Sequence, residues 1–176
     1  WVPRIATSYK LNDMAWRFSI AKGYSTPTIA EVRSSNNQIN ADLQAENGWN
    51  YELGYKLKTL HQRLIFDIAA YSFTMKNGII RQLDASGADY YQNAGEMKQK
   101  GIETTVWLNI VQPNSTSFVR ALNINSAVAY NHYRFGSYVV ANKDFSNNHI
   151  TAVPEWVWTN ALSAAFPCSI ELNVNQ

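Results

Sequence analysis

Apolar and polar residues alternate with period two along most of this chain, and the 3.6-residue repeat of an amphipathic helix hardly occurs. The clearest run covers residues 49–58, Trp-Asn-Tyr-Glu-Leu-Gly-Tyr-Lys-Leu-Lys. Trp49, Tyr51, Leu53, Tyr55 and Leu57 share one face; Asn50, Glu52, Gly54, Lys56 and Lys58 share the other. Trp16, Phe18 and Ile20 oppose Arg17, Ser19 and Ala21 in the same way. Leu64, Phe66 and Ile68 oppose Arg63, Ile65 and Asp67, with Ile65 as the exception. Ile102, Val106, Leu108 and Ile110 turn away from Glu103, Thr105 and Asn109, and Leu122, Ile124, Val128 and Tyr130 from Asn123, Asn125, Ala127 and Ala129. A side-chain period of two belongs to strands with unlike faces, so the pattern predicts an all-β chain of about eight strands.

The connections between these strands alternate in length. Short ones are expected at 11–13, 60–62, 112–117 and 167–169, and long ones at 23–48, 77–87 and 132–151. Short turns on one side and long loops on the other are the topology of an antiparallel transmembrane β-barrel, with the short turns periplasmic and the long loops outside. The aromatic content, with six Trp and ten Tyr, fits girdles at two membrane interfaces. Tyr9, Trp16, Tyr130 and Phe166 are expected near the short-turn ends, and Tyr24, Trp49, Trp156 and Trp158 near the long-loop ends. A soluble β-sandwich has the same period with its aromatics inside. Loop lengths, not periodicity, separate the two.

Composition narrows the function classes. Mean hydropathy is −0.29, and no run reaches the roughly 18 to 20 apolar residues of a membrane helix, a test to which alternating strands are invisible. Fifteen Lys and Arg against thirteen Asp and Glu, without a basic block, argue against a nucleic-acid partner. The single Cys168 excludes an internal disulfide framework. His61, His132 and His149 fall in different connections without metal-ligand spacing. No Gly-x-Ser-x-Gly or phosphate-binding glycine loop is present, and the carboxylates are scattered, so neither enzyme nor cofactor is implied. The glycosylation-type triplet at Asn114 lies in a short turn and reads as turn chemistry.

Several segments resemble the TonB-dependent receptors of Gram-negative outer membranes, and the resemblance covers nearly the whole chain. Pro3-Arg4-Ile5-Ala6-Thr7-Ser8-Tyr9 is similar to that family's Ser-Pro-Arg strand, and Gly23-Tyr24-Ser25-Thr26-Pro27 to its Gly-aromatic-x-x-Pro passage into an extracellular loop. Asn40 to Glu46 followed by Glu52-Leu53-Gly54 resembles the Asn-Pro-x-Leu-x-Pro-Glu signature with its downstream Glu-hydrophobic-Gly. Tyr91-Gln92-Asn93-Ala94-Gly95 with Gly101-Ile102-Glu103, and later Val153-Pro154-Glu155-Trp156, complete a set in family order. Ala41 and Ala45 stand where the family usually has Pro. The resemblance implies a wall segment of a barrel of about 22 strands around a plugged lumen, with residues 1–176 lying within the barrel domain of a longer parent. The opening Trp-Val-Pro-Arg and a last strand that stops midway fit that expectation. No plug domain or TonB box is read in these residues.

By the same resemblance, the parent sits in the outer membrane and imports a scarce nutrient, a ferric siderophore being the family's commonest cargo. The TonB–ExbB–ExbD system would supply energy through the plug, and the lipid bilayer would surround the barrel. Haem, cobalamin and oligosaccharide stay open as cargo. A complete small barrel with a structural or adhesive role, and a soluble β-sandwich binding module, are the alternatives. Arg17, Glu52, Gly54, Lys56, Arg63, Asp67 and Glu103 are the expected lumen- or plug-facing residues. Gly54 would let another side chain or the plug approach the wall closely, and Gly95 and Gly101 would mark bends or bulges near the rim. Arg33, Arg81, Tyr90, Tyr91, His132, Tyr133 and Arg134 are the expected ligand contacts, because cations and aromatic rings suit an anionic, aromatic iron chelate.

Overall fold

The computed structural model describes residues 1–33, 35, 39–93, 95–112, 117–140 and 143–176. Residues 113–116, which carry the glycosylation-type triplet expected in a short turn, lie outside them. In chain order the strands are β1 (Arg4–Leu11), β2 (Met14–Ser25), β3 (Glu46–Thr59), β4 (Leu64–Lys76), β5 (Ile79–Leu83), β6 (Asp89–Asn93), β7 (Glu96–Val111), β8 (Ala121–Phe135), β9 (Val139–Val140), β10 (Lys143–Asp144), β11 (Trp156–Ala165) and β12 (Glu171–Asn175). Eight of them form one sheet in the order β1-β2-β3-β4-β7-β8-β11-β12, every pair antiparallel. β5 with β6, and β9 with β10, are small hairpins carried in the long loops. β1 and β12 do not pair with each other, so the sheet is an open segment of wall and not a closed eight-stranded barrel.

Register turns the alternation of each strand into two continuous faces. One row runs Trp16, Tyr55, Ile68, Thr104, Val128, Trp158 across six strands, and the adjacent row runs Arg17, Gly54, Ala69, Glu103, Ala129. No second layer covers the apolar face among the described residues. Among the described residues Ala164 is the one buried apolar side chain, while Leu53, Trp156 and Trp158 are 58%, 66% and 68% exposed. A β-sandwich in water has to bury that face against another sheet. A barrel wall leaves it to the bilayer, which hydrates neither backbone nor side chain and accepts only strands paired within the wall. The sandwich is thereby excluded.

The connections from β1 to β2, from β3 to β4 and from β11 to β12 are tight. Asn12 (φ 49°) turns β1 into β2; Leu60, His61 and Gln62 (φ 52°, 54° and 66°) turn β3 into β4. A 3-10 turn at Pro167–Ser169, with Cys168 at φ 62°, leads to β12. The first long loop holds one helical turn, α1 (Ile29–Val32), closed by a capping box between Thr28 and Glu31. Four residues are too few to leave a periodic signal, so the sequence does not announce it.

The structure changes three expectations. His132, Tyr133 and Arg134 belong to β8 and not to a loop; polar residues on both faces there hide the strand from a hydropathy pattern. Tyr130 lies at the long-loop end, paired with Trp156 at 4.8 Å between ring centroids, and so joins the loop-side aromatic band. The register through Gly101 is continuous, and the one irregularity of β7 against β8 falls between Asn109 and Val111.

Candidate functional site

Two glycines organise the polar face by the same physical device. Arg17 on β2 reaches over β3 to Asp67 on β4, its Nη2 2.7 Å from Oδ1 and its Nη1 3.2 Å from Oδ2. The residue crossed is Gly54, where a Cβ would stand 2.8 Å from the Arg17 Nη2. Lys56 adds a second cation to Asp67 at 3.5 Å and lies 5.7 Å from the centre of the Trp107 ring, a cation–π distance. Nearer the loops, Tyr71 on β4 crosses β7 at Gly101. Its hydroxyl meets the Tyr133 hydroxyl at 2.7 Å and donates to Asn131 Oδ1 at 3.0 Å, both on β8. A Cβ at Gly101 would overlap the Tyr71 hydroxyl and stand 2.7 Å from the Tyr130 carbonyl oxygen. In each case a glycine lets a long side chain lie flat and tie a strand to its second neighbour.

Beside the tyrosine pair is a concavity of about 480 Å³ lined by Asn50, Glu52, Ala69, Tyr71, Phe73, Gln99, Glu103 and Tyr133. Glu52 and Glu103 have no ion-pair partner among the described residues. Two unpaired carboxylates beside aromatic hydroxyls form a site for cationic or hydrogen-bond-donating groups. A second concavity, of about 380 Å³, lies at the opposite end between the short turns and is lined by Lys10, Asp13, Lys56, Lys58 and Gln62 among others.

The long loops are fastened to one another above this face. Asn40 Nδ2 donates to the Tyr91 carbonyl at 2.9 Å. The Asn93 side chain accepts from the Gln44 N–H at 2.8 Å and donates to the Gln44 and Asn77 carbonyls at 2.9 and 2.7 Å. Gln82 Nε2 donates to the Tyr138 hydroxyl at 2.8 Å, joining the β5–β6 hairpin to the next loop. Gly95 lies under Ser137, where a Cβ would collide with the backbone. Asp89, 2.7 Å from Arg81, raises that guanidinium above its ordinary value through their hydrogen bond. Hydrogen bonds from Ser146 hold the Asp144 carboxyl below the usual carboxylate range.

The family profile described as TonB dependent receptor-like, beta-barrel matches residues 1–169. This chain belongs to the TonB-dependent receptor β-barrel family. Solved structures agree with the fold. The siderophore receptor PirA from Pseudomonas aeruginosa is similar with a TM-score of 0.71 at 16% identity, over 99% of this chain and 32% of that one. The FrpB iron transporter from Neisseria meningitidis is similar with a TM-score of 0.66 at 16% identity, over 99% and 26%. The chain thus spans about a third or less of the length of these relatives.

Within this receptor barrel segment, the residues singled out from sequence separate into groups. Arg17, Gly54, Lys56 and Asp67 meet in the ion-paired brace, and Glu52 and Glu103 line the larger concavity. Arg63 stands apart, exposed at the short-turn rim beside Leu60, His61 and Gln112. Of the expected ligand contacts, Tyr133 reaches the concavity, and Arg33, Arg81, Tyr90 and Tyr91 lie in the loop layer. His132 and Arg134 share the face of Ile102 and Tyr130, opposite to Tyr133. Tyr71, Asn131 and Gln99 were missed. The available signal for Tyr71 was its parity: a large aromatic on the face of Asp67 and Ala69 needs a reason to be there.

The brace makes a measurable prediction. Its ion pair is partly exposed, at 39% and 20% of the side chains, so solvent screening keeps its value low. A double-mutant cycle of Arg17→Gln and Asp67→Asn should return a coupling of about 1 kcal/mol in urea unfolding of the intact receptor. Additive single effects would show that the two side chains do not support each other.

Proposed function

We propose that this chain is wall from an outer-membrane receptor of a Gram-negative bacterium that imports a scarce nutrient, a ferric siderophore first among the candidates. In this reading residues 1–176 lie within the barrel domain of a longer parent chain. A plug domain elsewhere in that parent fills the lumen and receives energy from TonB–ExbB–ExbD. The barrel does no covalent chemistry: it shields the route from lipid, holds the plug and presents the loops to cargo. The observation that carries the proposal is the polar-face concavity, because the unpaired carboxylates of Glu52 and Glu103 suit cationic side chains of a plug seated against the wall. The siderophore assignment draws support from what PirA and FrpB are, and from the cations and aromatic rings in the loop layer.

The test is uptake of radiolabelled ferric chelates by iron-starved cells carrying or lacking the intact gene, with and without TonB. Gene- and TonB-dependent accumulation is the expected result. In the double variant Glu52→Gln, Glu103→Gln, uptake should change by about tenfold or more, since hydrogen bonds to charged groups carry roughly 1.5–3 kcal/mol each. Chelate binding at the cell surface should persist in that variant. Accumulation that ignores both the gene and TonB would remove the transport reading.

A further inference from the structure

The outward face of β7 and β8 changes character within one step of the alternation. Ile102 opposes Tyr130, the next pair on that face is Lys100 opposite His132, and the next is Lys98 opposite Arg134. Directly opposed residues lie about 5 Å apart and successive same-face positions about 7 Å along the strand. Three fixed cations and an imidazole therefore crowd a patch of four neighbouring positions. Like charges placed opposite each other destabilise a sheet, so this arrangement calls for an anion.

Its own acids answer that only in part. Glu96 lies 3.1 Å from Lys98, whose side chain is still 49% exposed. Lys100 is exposed and has no ion pair among the described residues. Arg134 is held in place: its Nε donates to His132 Nε2 at 3.0 Å and its Nη1 to the Asn147 carbonyl at 2.8 Å. Its Nη2 has no hydrogen bond to the described residues. His149, bridged to Arg134 through the backbone, is instead committed to Glu155 at 3.0 Å.

We infer that Lys98, Lys100 and Arg134 bind the phosphate groups of an outer-leaflet lipid headgroup. The inference rests on the proposed membrane orientation, with the long loops outside. The tilted pair of Tyr130 and Trp156 rings marks the depth at which amphipathic aromatics meet headgroups, and the cations begin one step beyond. Ile102, Tyr130 and Trp156, which are 46% exposed in the first case and 66% in the last, offer acyl chains a surface contiguous with the cations. The patch is a flat edge and not a pocket. A free anion would be held there by charge alone, whereas an amphiphile is held at both ends.

The experiment is native mass spectrometry of the intact receptor in neutral detergent, with diphosphorylated lipid A as the probe. Dephosphorylated lipid A and inorganic phosphate are the comparison ligands. The unaltered receptor should retain the diphosphorylated lipid on the order of 100-fold better than the dephosphorylated one, taking about fivefold per cation engaged. The triple variant Lys98→Gln, Lys100→Gln, Arg134→Gln should lose that preference, and Lys10→Gln should keep it. Equal retention of both lipids by the unaltered receptor overturns the inference without needing any variant. Displacement of the lipid by millimolar inorganic phosphate also overturns it, because the site would then be one for free phosphate. Heat-modifiable migration of the same sample separates the two levels. If the band is heat-modifiable and the lipid preference absent, this inference alone fails; without heat-modifiability, the membrane-barrel reading fails with it.

Discussion

Ile68→Arg should lower the folding stability of the intact receptor by about 2–4 kcal/mol, the range for a cation placed on the lipid face near the bilayer midplane. Ile68 lies within β4, in register with Tyr55 and Thr104 on the face that also carries Trp16 and Val128. In a bilayer the guanidinium would have to drag in water or stretch to a distant headgroup. Thr105→Arg, on the neighbouring strand and the other face, provides the contrast. Thr105 is in register with Asp67, which already holds Arg17 and Lys56, so the new cation would extend into water over a polar surface, and a change within about 0.5 kcal/mol is expected. Urea unfolding in lipid vesicles measures both. Similar losses from the two variants would mean that the faces are not lipid and lumen.

Gly101→Val is the second large effect. A Cβ there would stand 2.7 Å from the Tyr130 carbonyl oxygen, which is backbone and cannot swing aside, and would overlap the Tyr71 hydroxyl. Either β7 and β8 part locally, weakening the ladder, or Tyr71 turns away and abandons both Tyr133 and Asn131. Overpacking of this kind costs about 1–3 kcal/mol, and loss of the tyrosine contacts adds to it. Gly23→Val is the control, because the nearest atom to a Cβ at Gly23 is 4.0 Å away; its effect should stay within about 0.5 kcal/mol. The temperature at which the heat-modifiable band disappears reports both variants. A Gly101→Val receptor as heat-resistant as the parent would show that the crossing of Tyr71 over β7 is dispensable.

The same crossing shows where sequence reading stops. Gly54 and Gly101 stand out as glycines within strongly alternating strands, and a close approach at Gly54 is foreseeable because a strand glycine often marks one. Which side chain approaches is not foreseeable. Arg17 and Asp67 are fifty residues apart, and Tyr71 and Tyr133 are sixty-two apart. Alternation assigns each a face but no neighbour. Their meeting depends on how far each strand slides along the next, which is set jointly by turns, bulges and packing. For Gly101, the sequence suggested a bend; the register instead runs through it unbroken, with the space taken by Tyr71.

The candidate contacts divide on the same principle. Glu52 and Glu103 were legible as polar-face residues because one alternating strand is enough to assign parity, and register then brought both to the rim of one concavity. His132, Tyr133 and Arg134 looked like a loop cluster facing a single ligand. Once they lie within β8, period two sends Tyr133 to one side of the wall and His132 with Arg134 to the other. A hydropathy pattern could not show this, since beyond the apolar belt both faces of a strand are polar.

By itself, then, the sequence determined the all-β class, the two faces, the alternation of short turns with long loops and the family, because these rest on local periodicity, turn lengths and motifs. Tertiary structure decided the register, the glycine crossings, the fastening of the loops and the cation patch on β7 and β8. Each of these joins residues from different strands, and the free energy that chooses such partners is collected only when the strands lie side by side.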